Sequence, residues 1–214
     1  MIKIIHRAYH HYTIYYLWNR LRLALYEKKN PGAPWMPRTV NAFLDCWLSF
    51  DDVGFEFGSG RSTLWLAKRV GALISVESDE AWHSEVIGQL EKENCRNVKL
   101  EFKSVLPKGK ILSSPYVLSV DEFPDSSFDF IIVDGKHRGH CAMRSIPKLR
   151  QGGILIIDDV HRYLPSRSSV PHARPLTAGY RDEAWREFAK VTGAWRRAVF
   201  TDGVTDTGIF YKPC

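Results

Sequence analysis

The chain has 214 residues, 44% of them hydrophobic and 25% charged, with a net charge of +6. That length suits one domain with its own core, and that balance excludes disordered, fibrous and low-complexity classes. Residues 1–30 carry six basic side chains against Glu27 alone, so the remainder is close to neutral and is not a general polyanion binder.

Residues 4–27 are predicted to be helical, because Ile14, Leu17, Trp18, Leu21 and Leu25 recur at three- and four-residue steps. Asn30-Pro31-Gly32, Pro34 and Pro37 end that helix and form a linker. Residues 1–38 therefore read as a basic, aromatic helical extension and 39–214 as the main domain. A second helix is expected over 40–48. Short apolar runs then alternate with helical stretches. Strands are predicted at 53–57, 73–77, 98–103, 128–134 and 153–158, and helices at 62–69, 80–93, 140–150 and 181–191. The runs FDFIIVD and GGILIIDD are apolar throughout, as strands buried on both faces of a parallel sheet must be. This alternation predicts a doubly wound α/β sandwich of three layers. Residues 195–201 and 207–212, joined by a turn containing Asp202-Gly203, predict a hairpin that puts an antiparallel strand on the sheet edge.

The longest apolar runs are far too short to span a bilayer, and no uninterrupted apolar segment follows the first charges as a signal peptide requires. The four cysteines, Cys46, Cys95, Cys141 and Cys214, form no C-x-x-C pair. Scattered thiols of this kind point to a reducing compartment, and a cytoplasmic protein is expected.

Residues 55–62 read FEFGSGRS, where the first strand hands over to a helix. Gly58 and Gly60 let the backbone turn sharply and approach a ligand, and the helix N-terminus that follows offers free N–H groups. Glu77 closes the second strand in ISVES, where an acid can accept both hydroxyls of a ribose. Ser59, Arg61, Ser62 and Ser78 belong to the same two turns, and together these residues describe a site for a nucleoside-containing cofactor. The third glycine of a dinucleotide fingerprint is missing, since Arg61-Ser62-Thr63 follow. Glu56 would repel a pyrophosphate but suits the ammonium of an amino-acid moiety.

EFGSGRST, ISVE, FDFIIVDG and GGILIIDD, in that order, resemble the class I S-adenosylmethionine-dependent methyltransferases over roughly residues 40–212. The resemblance implies a transferase with a Rossmann-like, mostly parallel seven-stranded sheet ending in an antiparallel hairpin. It implies S-adenosyl-L-methionine as cofactor, with Glu56, Gly58 and Gly60 beside the methionine part and Glu77 on the ribose. Two departures stand out. Ser62 replaces the usual third glycine, and the third strand ends in Phe102-Lys103-Ser104 without the acid that often contacts adenine.

Asp134 ends the fourth strand in VDGKH, and Asp158 and Asp159 end the fifth in IDDVH. Asp134 opens on the cofactor edge as well. Converging carboxylates repel one another, and a divalent cation relieves this. Oxygen-only ligands suit Mg²⁺, Mn²⁺ or Ca²⁺. The layout is similar to metal-dependent O-methyltransferases of catechol and caffeoyl type, which implies a metal set of Asp134, Asp158 and Asp159, with Asp159 standing where Asn is commoner. An acid at the fourth strand end without a metal is the alternative, and both stay open. His161 and His137 follow these acids, and an imidazole of ordinary pKa ~6.5 can take a hydroxyl proton at neutral pH. His161 is preferred, because it directly follows the aspartate pair.

The stretch 160–179 carries Arg162, Arg167, Arg174 and His172 and reads as a substrate loop for an anionic or sugar acceptor. The N-terminal helix has four readings: contact with an anionic inner membrane surface, RNA binding, a partner subunit or second copy, or packing of its apolar face on the domain. The last is preferred. The expected activity is O-methylation of a small hydroxylated molecule. An RNA methyltransferase is the second reading, disfavoured by the near-neutral body. A non-catalytic partner subunit is the third, disfavoured by the retained Glu56, Glu77 and Asp134.

Overall fold

The computed structural model describes residues 13–107 and 109–214. Helix α1 (Ile14–Lys29) starts at Thr13, whose hydroxyl accepts the Tyr16 N–H, and α2 is Arg38–Trp47. Then come β1 (Val53–Phe57), α3 (Arg61–Ala67), β2 (Ala72–Glu77), α4 (Glu80–Lys92) and β3 (Val98–Phe102). A short helix α5 (Pro115–Leu118), flanked by single 3₁₀ turns, leads to β4 (Phe128–Val133), α6 (Arg138–Lys148) and β5 (Leu149–Ile157). The chain ends with α7 (Glu183–Val191), β6 (Arg196–Thr201) and β7 (Asp206–Tyr211). Residues 4–12 of the expected N-terminal helix lie outside the described residues.

The strands form one sheet in the order β3-β2-β1-β4-β5-β7-β6. The first five are parallel, and β7 is antiparallel to both of its neighbours. The hairpin therefore forms as expected, but β7 slots inside the sheet and β6 takes the edge. The side chains explain this. Five of the six residues of β7 are buried, whereas β6 alternates between half-buried and exposed positions as an edge strand does. Alternate residues of the central strands feed two cores: Phe57, Ile131, Val133, Leu155 and Ile157 on one face, Phe130, Ile132, Ile154 and Ile156 on the other. Tyr116, Trp185, Phe188 and Phe210 complete the first, and Met36, Val40, Leu44 and Leu66 complete the second.

Strand order reverses between β1 and β4, since β1 pairs with β2 on one side and β4 on the other. In an open parallel sheet the crevice for a ligand lies there, beyond the carboxyl ends of the strands. Helix α1 reverses one expectation. It turns Asn19, buried, and the half-buried Leu23 and Tyr26 toward the body. Ile14, Leu17, Trp18, Leu21 and Leu25 are each more than half exposed, so the apolar stripe does not pack on the domain.

Candidate active site

At the end of β1, Gly58 has φ +95°, and a Cβ there would lie 2.9 Å from the Gly135 backbone. Only glycine lets the turns after β1 and β4 touch. Ser59 Oγ donates to Glu77 at 3.2 Å, and the Ser59 N–H reaches the same carboxylate oxygen at 3.1 Å. The other Glu77 oxygen accepts the Ser78 N–H at 2.6 Å and the Asp79 N–H at 2.9 Å. Glu77 and the 58–60 turn thus face one another. Trp82 of α4 braces the turn from outside, donating its indole N–H to the Ser59 carbonyl at 2.8 Å.

Glu56 answers a different need from the one the sequence suggested. It is fully buried, and three hydroxyls donate to it: Ser62 at 2.5 Å, Thr63 at 2.6 Å and Ser75 at 2.6 Å. Burial pushes its carboxyl up, and these hydroxyls pull it back. Thr63 also accepts the Gly60 N–H at 2.9 Å. Glu56 therefore ties β1, β2 and the start of α3 together, and this geometry does not aim it at a ligand ammonium. The missing third glycine has a reason too, since Ser62 supplies one of those hydroxyls.

A cavity of about 180 Å³ opens at the turn, walled by Ser59, Gly60, Trp35, Met36, Trp82 and Asp134. The Arg61 guanidinium lies 4.7 Å over the Trp35 ring. Sequence reasoning missed Trp35, Met36 and Trp82. A tryptophan inside a proline-rich linker directly ahead of α2 was the available signal. A larger cleft of about 790 Å³, lined by Tyr26, Arg38, Trp65 and Arg69, lies away from the strand ends and does not reach these residues.

At the ends of β4 and β5 the three aspartates do converge, but around a guanidinium. Arg138 donates to Asp134 Oδ1 at 2.7 Å and to the Asp134 carbonyl at 2.8 Å. Its other terminal nitrogen donates to the Asp158 carbonyl at 2.6 Å and lies 3.5 Å from Asp158 Oδ2 and 4.0 Å from Asp159 Oδ2. Thr207 Oγ1 donates to Asp158 and Thr205 Oγ1 to Asp159, each at 2.7 Å. Burial pushes the Asp158 and Asp134 carboxyls up, their mutual repulsion adds to the rise in Asp158, and Arg138 pulls both down. The divalent cation that the sequence left open does not fit here, because a fixed cation, the Arg138 guanidinium, already lies among the carboxylates. Among the described residues no group of three or more His, Cys, Asp and Glu side chains is arranged to hold a metal.

The two histidines also separate. His161 is buried, its Nδ1 accepts the Asp206 N–H at 3.2 Å, and burial pushes its imidazole down against the pull of Asp159. It pins the β5 end to β7, so the preference for it as a base gives way. His137 caps α6 with φ +49°, and its Nε2 is shielded with no hydrogen-bond partner among the described residues. Asp159 is left-handed as well, at φ +54°, a conformation that Asp and Asn tolerate best. In the 160–179 stretch, Arg162 pairs with Asp159 at 3.3 Å. Arg174 donates to the carbonyls of Ala178, Gly179 and Tyr180, which ties the loop to itself. Arg167 remains exposed.

A family described as a methyltransferase domain matches residues 55–160, which hold the glycine turn, Glu77 and all three aspartates. No curated protein matches the chain. A methyltransferase-like protein from Silicibacter pomeroyi superposes with a TM-score of 0.58 at 22% identity, over 85% of this chain and 89% of its own. A caffeoyl-CoA O-methyltransferase-like protein from Staphylococcus aureus does so at 0.58 and 12%, over 98% and 97%. An rRNA methylase from Streptococcus thermophilus reaches 0.54 at 13%, over 81% and 93%. At these identities the superpositions show the shared fold and say nothing of the acceptor. The family match over residues 55–160 and the β3-β2-β1-β4-β5-β7-β6 sheet support a class I S-adenosylmethionine-dependent methyltransferase.

Proposed function

We propose that the protein methylates a hydroxyl oxygen of a small acceptor without a divalent cation, with His137 as the general base. The cofactor would lie along Gly58, Ser59 and Gly60, its ribose on Glu77 and its methionine end in the cavity beside Trp35, Met36 and Asp134. Bound S-adenosyl-L-methionine supplies an electrophilic methyl on a sulfonium. The protein's own work is then orientation and proton removal. His137 Nε2 would take the proton of the acceptor hydroxyl as that oxygen is methylated, and the bound cofactor, having given up its methyl, would leave as S-adenosylhomocysteine. Asp134, held by Arg138, lines the cavity and orients the acceptor hydroxyl.

The observation that carries this reading is Arg138 among the three aspartates, which leaves activation of the acceptor to a base. The near-neutral body favours a small acceptor over RNA, which needs a basic track. The free cysteines suit a cytoplasmic setting.

A methyl-transfer assay over sugar and polyol acceptors tests it. Activity should persist in EDTA, and His137→Ala should lower kcat by on the order of a hundredfold while cofactor affinity is kept. Activity that needs added Mg²⁺, or an unchanged rate in His137→Ala, overturns the reading.

A further inference from the structure

We infer that α1 is a lipid-docking helix that lays its outer face on an anionic bilayer surface. Ile14, Leu17, Trp18, Leu21 and Leu25 form one continuous stripe, each more than half exposed. Asn19 is buried on the other side, where it meets the β6–β7 turn: a Cβ added at Gly203 would lie 2.1 Å from its side-chain nitrogen. The helix therefore turns a buried polar residue and the half-buried Leu23 and Tyr26 to the body and shows its most apolar residues to solvent, the reverse of a helix evolved to cover a core.

The charges on the helix choose the occupant. At about 100° per residue, Arg22 and Lys29 run along one border of the stripe and Lys28 lies within its other half. All three are exposed, and the single acid of the helix, Glu27, is half-buried on the far side. An apolar face with Trp and Leu at its centre and Lys and Arg on its margin is the pattern of a helix lying in the headgroup layer of an anionic membrane. A second copy of this chain would bring the same positive margins together. No helix among the described residues is long and apolar enough to cross a membrane, so α1 lies on the surface and does not span it.

Vesicle flotation of the full chain tests this, using vesicles of phosphatidylglycerol and phosphatidylcholine in equal parts against phosphatidylcholine alone. The protein should float with the anionic vesicles and bind the neutral ones at least about tenfold less. Each basic residue near the surface changes the partition coefficient about fivefold, so Arg22→Glu with Lys28→Glu and Lys29→Glu should lower it on the order of a hundredfold. Trp18→Asp with Leu21→Asp should abolish flotation. These side chains are exposed, so both variants should keep the melting temperature and cofactor affinity of the parent. The inference is overturned if the parent stays in the dense fraction, or if it binds neutral and anionic vesicles equally. It is also overturned if sedimentation shows a dimer that Leu21→Asp turns into a monomer, which would seat a second copy on the stripe.

Discussion

Two ends of the same strand edge hold acids wholly or partly out of water, and they hold them differently. At the β1–β2 end, Glu56 is surrounded by the hydroxyls of Ser62, Thr63 and Ser75, with no cation among its hydrogen-bond partners. At the β4–β5 end, Asp134, Asp158 and Asp159 gather around Arg138, with Thr205 and Thr207 filling what it does not reach. The difference follows from number. A single carboxylate can be satisfied by neutral donors, which satisfy its lone pairs without adding a charge of their own. Three carboxylates repel one another, and hydroxyls do nothing for that repulsion, so a cation is required. A guanidinium serves where a metal would, and it brings fixed N–H geometry to backbone carbonyls as well.

The comparison breaks most visibly at Arg138. Arg138→Met removes the cation and leaves the buried Asp158 beside the half-buried Asp134 and Asp159 without it, which should destabilise the fold by about 3 kcal/mol at neutral pH. The sign of the pH dependence is fixed. The folded pKa values of Asp134 and Asp158 are raised, so the folded state holds protons more tightly than the unfolded one. Ionisation therefore works against folding, with no penalty below about pH 4, the unfolded aspartate value, and a growing one as pH rises toward the folded values. Urea denaturation at pH 5 and pH 8 should show a larger deficit for the variant at pH 8, and equal deficits would mean that Arg138 does not compensate these acids. Ser75→Ala leaves Glu56 one donor short and should cost about 1–3 kcal/mol in the same measurement. A negligible cost would show that Glu56 is held by Ser62 and Thr63 alone.

Smaller effects sharpen the contrast. Glu77→Ala should weaken S-adenosyl-L-methionine binding about tenfold by calorimetry, equivalent to about 1.4 kcal/mol. Unchanged affinity would remove Glu77 from the ribose. Thr205→Val keeps the shape but removes the hydroxyl on Asp159, and should cost about 0.5–1.5 kcal/mol in stability. A larger loss would mean that Thr205 contributes more than one hydrogen bond to holding the acid cluster.

The sequence alone determined the elements and their order. Strand β1 falls on 53–57 as expected, and the other predicted boundaries lie within a few residues, because periodicity of two and of about 3.6 is written into neighbouring side chains. The glycine turn and the positions of Glu77 and the three aspartates were readable for the same reason: they sit at strand ends, and strand ends are local features. The Asp134–Arg138 pair, four residues apart at the start of a helix, was within reach of the same reasoning.

What each acid touches was decided only in three dimensions. The hydroxyls on Glu56 come from 6, 7 and 19 residues along the chain, and Asp158 lies 20 residues from Arg138 and 49 from Thr207. Pairings at those separations depend on strand register and helix placement, which no local pattern encodes. The same holds for the insertion of β7 beside β5, for Trp35 reaching the cofactor turn from the linker, and for the side of α1 that faces outward. Periodicity marks an apolar face, but only packing against the β6–β7 turn decides whether that face meets the protein or the solvent.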